Sequence, residues 1–101
     1  ALRVPVADGS ITDFVCELKK ETTKDEINWI FKEVSKYHLK GIIEYTSDQI
    51  VSTDIINNPH SSVFDSSLTM VIDGKFAKVV AWYDNEWGYS NRMIDMIKLL
   101  F

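Results

Sequence analysis

One cysteine, two prolines, four glycines and no long apolar run set the first limits on this 101-residue chain. A lone thiol closes no internal disulfide, which fits a reducing, cytoplasmic compartment. The longest apolar runs reach about five residues, far short of the roughly 20 that a spanning helix needs. The start carries no signal-peptide pattern. Positive charge is scarce: 11 Lys and Arg face 15 Asp and Glu, giving a net charge of −4. That balance argues against nucleic acid as a partner, although one Arg can still hold a phosphate group. No glycine-rich phosphate loop is present, and no His/Cys spacing suits a metal. Repeats, low-complexity segments and linkers are absent as well.

What is present is ordinary globular composition, 46% hydrophobic, on a length that supports a single domain, residues 1–101. Such a chain buries roughly 65% of the surface its unfolded form exposes, so the core is modest. Aromatic residues at 12% are generous for that core. Either the domain is tightly packed, or part of this apolar surface lies against something outside the chain. The first residue is Ala1 rather than Met, which predicts a processed or partial chain.

Local patterns divide the chain. Arg3–Val6 is short and β-rich, interrupted by Pro5, and Asp8–Gly9–Ser10 reads as a turn. From Thr12 to Lys19 the residues alternate, with Thr12, Phe14, Cys16 and Leu18 on the inward face of a strand. Thr23 and Glu26 form a capping box for a helix over 23–38. Its apolar stripe is Ile27, Ile30, Phe31 and Val34; Trp29 lies opposite, and Gly41 is a stop. A strand over 42–46 follows, then a loop over 47–59 with a short extended piece at Ile50–Ser52. Asp73–Gly74 predicts a hairpin between Leu68–Ile72 and Phe76–Tyr83. A final helix runs from Met93 to Phe101, its apolar arc being Met93, Ile94, Met96, Ile97 and Leu100. The sum is an α+β domain: a mostly antiparallel or mixed sheet with helices packed on one face.

Several residues are candidates for chemistry. Cys16 alternates with Phe14 and Leu18, so a buried hydrophobe is the expected role and a nucleophile the alternative. His38 suits the end of a helix. His60, Ser61, Ser62 and Asp65 supply the members of a hydrolase triad, yet triads are assembled from separate segments. The richest stretch is WYDNEWGYSNR, Trp82 to Arg92, with two Trp and two Tyr in eleven residues. It joins a strand to a helix, a common place for binding residues. The Asn85 amide both donates and accepts, matching another carboxamide; capping of the last helix by Asp84 or Asn85 is the alternative. Arg3 offers a fork of donors for phosphate, or a plain surface charge.

Five segments, in order, carry a resemblance. They are ALRVPV at the start, KGIIEYT from Lys40, VST with its aspartate from Val51, NPHSSVFD from Asn58 to Asp65, and WYDNEWGYSNR. With these the chain resembles the C-terminal part of the catalytic domain of the glyceraldehyde-3-phosphate dehydrogenase family, almost end to end. The resemblance implies an oxidoreductase that converts glyceraldehyde 3-phosphate and inorganic phosphate into an acyl phosphate, with NAD or NADP as cofactor. Asn85 would hold the nicotinamide carboxamide, Tyr89 would lie beside the ring, and Arg3 would bind phosphate. The family's nucleophilic Cys, in a Ser-Cys-Thr-Thr segment, its base His and its Rossmann domain all precede this segment. No catalytic residue is therefore expected here, and the chain alone is expected to be inactive. Cys16 matches a strand position.

The family is a soluble homotetramer in which the final helix meets the cofactor domain and the sheet meets a neighbouring subunit. Without them, the Met93–Leu100 arc and Trp87 are expected to be partly exposed, leading to self-association or a rearranged helix. Erythrose-4-phosphate dehydrogenase is a related alternative, against which Tyr83 and Gly88–Tyr89–Ser90 speak. A stand-alone interaction module is an alternative of another class.

Overall fold

Strand β5, Phe76–Tyr83, holds the sheet together because it is apolar on both faces and pairs along both edges. The chain is described by a computed structural model over residues 2–101. Along one edge of β5 runs β1, Ser10–Glu17, antiparallel from Ser10↔Tyr83 to Glu17↔Phe76. The other edge is shared. β4, Met70–Ile72, pairs with its beginning, and β3, Ser62–Asp65, pairs at Ala81 and Trp82. β2, Ile43–Thr46, then lies parallel to β3, which makes a mixed five-stranded sheet. The β4–β5 hairpin turns at Asp73, whose φ of 51° lies in the left-handed region that Asp tolerates better than most residues.

Helix α1, Lys24–Lys36, starts as expected. The Thr23 hydroxyl accepts from the Glu26 N–H at 3.2 Å, and the Glu26 carboxylate accepts from the Thr23 N–H. Those bonds satisfy donors that the first helical turn otherwise leaves unpaired. α1 then lays Ile27 and Phe31 on the sheet. The Phe31 and Phe64 rings stack at 4.0 Å with an interplanar angle of 5°, and Tyr45 adds a ring on Phe64 at 5.8 Å. Ile27, Phe64 and Ala77 are the buried centre, ringed by Cys16, Leu18, Ile43, Val71 and Val79. Because side chains alternate along a strand, Val63 faces the other side from Phe64. Val63, Val80 and Ile55 are also buried, the last in a 3₁₀ turn at Ser52–Ile55.

Several sequence expectations need correction. Arg3–Val6, β-rich but interrupted by Pro5, stays outside the sheet, and the Val6 N–H turns back to the Val4 carbonyl. The extended piece expected at Ile50–Ser52 is cut short: Val51 is extended, but Ser52 already opens a 3₁₀ turn, at whose start the Asp54 carboxylate accepts from the Val51 N–H. Phe14 is 55% exposed; of the set expected to face inward, only Cys16 on β1 and Leu18 just after it reach the core beneath α1. Ile30 is likewise half exposed. Leu68 belongs to a second 3₁₀ turn, Ser66–Leu68, and β4 begins after it. Strand β3 has no counterpart in the sequence reading.

The last helix, α2, spans Trp87–Leu100 and so starts six residues before Met93. Its polar side faces the body: Arg92 donates to the Gly41 carbonyl at 3.1 Å. The arc of Met93, Ile94, Met96, Ile97 and Leu100 is more than half exposed at every position. α2 is thus held at its start, while its apolar side looks outward.

The stacked pair fixes the largest buried side chain, so Phe64→Ala is expected to cost about 3–5 kcal/mol. A urea titration of the folded chain checks this; a loss below about 1 kcal/mol would show that the α1 contact does not carry the core.

Candidate functional site

The corner where β5 gives way to α2 is built around a buried carboxylate. Asp84 is 4% exposed. Its Oδ1 accepts from the N–H groups of Glu86 at 3.2 Å and Trp87 at 2.9 Å. Its Oδ2 accepts from the Asn57 N–H at 2.9 Å, across the chain, where Asn57 takes a left-handed φ of 63°. One side chain therefore starts the helix and pins the loop beside it. Burial pushes the Asp84 carboxyl up, but the N–H groups of Trp87 and Asn57, a bond with Asp8 and the Glu86 N–H outweigh it and hold the pKa at about 2.

Since Asp84 takes up the N–H groups of the cap residue Glu86 and of Trp87, the Asn85 side chain is not needed there. It is exposed. Its Oδ1 accepts from the Ser10 hydroxyl at 2.6 Å, and its backbone N–H donates to Asp8 Oδ1 at 3.3 Å. Among the described residues nothing accepts from its Nδ2, which leaves a donor pair facing out. Tyr89 stands in the first turn of α2 with 69% of its surface exposed. Between them Gly88 is buried. A Cβ there would sit 2.5 Å from the His60 carbonyl oxygen, so the helix start and the His60–Ser61 backbone touch directly.

The structure thus brings Asn85 and Tyr89 to one corner and ties the Asp8–Ser10 turn to it. Arg3 is exposed, and no hydrogen bond or ion pair joins it to the corner among the described residues. Asp8 and Ser10 are the members that the sequence reading left as a plain turn; only their polarity and the nearby strand pairing hinted at them. Oxygens of Asp8, Asp84 and Glu86 gather within 4.8 Å, and those of Asp8 and Asp84 already accept backbone N–H groups.

The other candidates fall away from this corner. Cys16 pairs with Ala77 while Ser10 pairs with Tyr83. Six strand residues at roughly 3.3 Å each place the thiol about 20 Å from the corner. The triad is not assembled. His60 Nδ1 lies 3.0 Å from Glu44 and 2.8 Å from Asn58, whereas Asp65 accepts from Ser67 and from the Trp82 indole. His38 is exposed in the turns after α1, and the cap position belongs to Tyr37.

The family model described as the glyceraldehyde 3-phosphate dehydrogenase C-terminal domain matches residues 1–85. A glyceraldehyde-3-phosphate dehydrogenase of Mycobacterium avium is 56% identical over 100 residues, 99% of this chain and 29% of that protein. One from Streptomyces coelicolor is 59% identical over 97 residues, 95% of this chain and 29% of its own length. A third, from Mycobacterium leprae, is 53% identical over 100 residues. The chain therefore spans about 29% of the length of the curated relatives it matches.

The lowered Asp84 carboxyl has a definite sign. Its folded value of about 2 lies below its ordinary 3.8, so it stabilises the fold at higher pH. That contribution is lost as pH falls from about 4 to about 2. Thermal melts across that window are expected to drop steeply, and Asp84→Asn is expected to flatten the drop. An Asp84→Asn protein that melts with an unchanged acid profile would remove this carboxylate from the account.

Proposed function

The chain belongs to the glyceraldehyde 3-phosphate dehydrogenase family, and we propose that it supplies the cofactor-facing corner of that family's catalytic domain. The whole protein is then an oxidoreductase taking glyceraldehyde 3-phosphate and inorganic phosphate to an acyl phosphate with NAD or NADP. The observation that carries the reading is the division of labour between Asp84 and Asn85. The buried carboxylate starts the helix, which frees the neighbouring amide to present its donors outward.

An exposed donor pair on a rigid corner fits a nicotinamide carboxamide, whose carbonyl is an acceptor. Bound there, the nicotinamide supplies hydride acceptance. Asn85 would fix its orientation, and the exposed Tyr89, in the first turn of α2, would lie beside it. Arg3 serves phosphate, since a guanidinium matches phosphate oxygens bidentately and neutralises their charge. Tyr83 and Gly88–Tyr89–Ser90 favour the glyceraldehyde over the erythrose substrate. The single thiol, Cys16, lies too far from the corner to attack an aldehyde held there, and this chain alone does not turn over.

The apolar surfaces agree with a place inside a larger soluble, cytoplasmic homo-oligomer. Phe14, Val15, Met70 and Phe76 are each about half exposed on the sheet, as is the outward arc of α2. So much exposed apolar surface is uncommon on a lone domain.

In the full-length enzyme, Asn85→Ala is expected to raise the KM for the dinucleotide by about tenfold or more, the size of a lost strong hydrogen bond. Arg3→Ala is expected to raise the KM for phosphate or phosphorylated substrate similarly, leaving the dinucleotide KM in place. Steady-state kinetics with each substrate varied in turn checks both. Unchanged constants in Asn85→Ala would end the cofactor assignment, and unchanged constants in Arg3→Ala the phosphate one. Reduction of NAD by the 101-residue chain with aldehyde and phosphate would refute its inactivity.

A further inference from the structure

Ser10 stands at the opposite end of the chain from Asn85, yet its hydroxyl donates to the Asn85 carbonyl oxygen at 2.6 Å. We infer that Ser10 is a positioning residue: it holds the Asn85 amide with its carbonyl inward and its NH2 group toward the ligand. The inference rests on the cofactor reading above and adds to it the group that gives the amide its direction. A primary amide without such a partner can rotate by 180° and present an acceptor where a donor is needed, because its two ends are nearly the same shape. The Ser10 hydroxyl, donating to the carbonyl oxygen, holds that end of the amide against the turn, so the NH2 end is the one presented to the ligand.

Ser10 itself is held firmly. It opens β1, and its backbone pairs with Tyr83 two residues before Asn85, so strand register sets the distance between the two side chains. The preceding Gly9 has a φ of 104°, and a Cβ on it would meet the Ser52 Cβ and carbonyl oxygen at 3.0 Å. The turn is thus pressed against the 3₁₀ segment and cannot slide along β5. Asp8 completes the clamp from the same turn, accepting the Asn85 N–H at 3.3 Å and the Gly9 N–H at 2.8 Å. The backbone and the amide of Asn85 are therefore both set by the turn at 8–10.

The test uses the full-length enzyme with Ser10→Ala, Ser10→Thr, Ser10→Val and Asn85→Ala. Two properties are read: the dissociation constant for the dinucleotide, and the NMR signals of the Asn85 NH2 pair in cofactor-free, asparagine-labelled protein. Ser10→Ala is expected to weaken dinucleotide binding about threefold to tenfold, the size of one ordinary hydrogen bond, and to shift the NH2 pair. Thr and Val differ there by little more than the hydroxyl, so Ser10→Thr should bind and resonate like the parent while Ser10→Val behaves like Ser10→Ala. A merely structural Ser10 would make Thr and Val alike, and that result overturns the inference. Unchanged binding in Ser10→Ala beside weakened binding in Asn85→Ala overturns it too, while leaving the cofactor reading intact. Unchanged binding in Asn85→Ala itself overturns both.

Discussion

A single carboxylate, that of Asp84, decides how the end of this chain is arranged. Helices leave their first N–H groups unpaired, and a strand that runs straight into a helix must find acceptors for them. Asp84 provides one oxygen to Glu86 and Trp87 and the other to Asn57. The charge is kept because the N–H groups outweigh the cost of burial, which is why the carboxyl titrates near pH 2. Helix start, loop position and the exposure of Asn85 all follow from it.

Close backbone approach does the rest. Gly88 lets the first turn of α2 rest on His60, where any side chain would collide with a carbonyl oxygen. Arg92 reaches from the second turn to the Gly41 carbonyl and to Ser61. These contacts use the polar side of α2, so its apolar arc must look away from the sheet. Reading amphipathicity as core-facing assumes that the core is the one within the chain. Here the apolar side is left for something else, consistent with a chain that covers 29% of its relatives.

Much of the fold was legible where local chemistry dominates. The capping box at Thr23 placed α1, the Asp73–Gly74 pair placed the hairpin, and the apolar run to Tyr83 placed the central strand. What was hidden depends on pairing between distant segments. Ser62–Asp65 is too short and polar at its ends to read as a strand; it becomes one because β2 and β5 flank it. The extended piece at residues 50–52 ends at Ser52 because a local carboxylate, Asp54, captures the Val51 N–H at the start of a 3₁₀ turn. For the candidate site, Asn85 stood out by residue type and Tyr89 through the family resemblance. Asp8 and Ser10 did not, since only the β1–β5 register carries them across 75 residues or more to the corner.

That register makes the corner a property of both ends of the chain. β1 contributes little to the core, with Phe14 and Val15 mostly exposed, yet its first residue sits opposite Tyr83. A slip of one residue in this pairing would turn every β1 side chain to the other face. It would also withdraw the Ser10 hydroxyl from the Asn85 amide. Lys78, paired with Asp13 at 2.6 Å, gives the register a cross-strand charge contact at mid-strand. The edge strand is therefore better understood as an arm that delivers its turn to the β5–α2 corner than as a layer of the core.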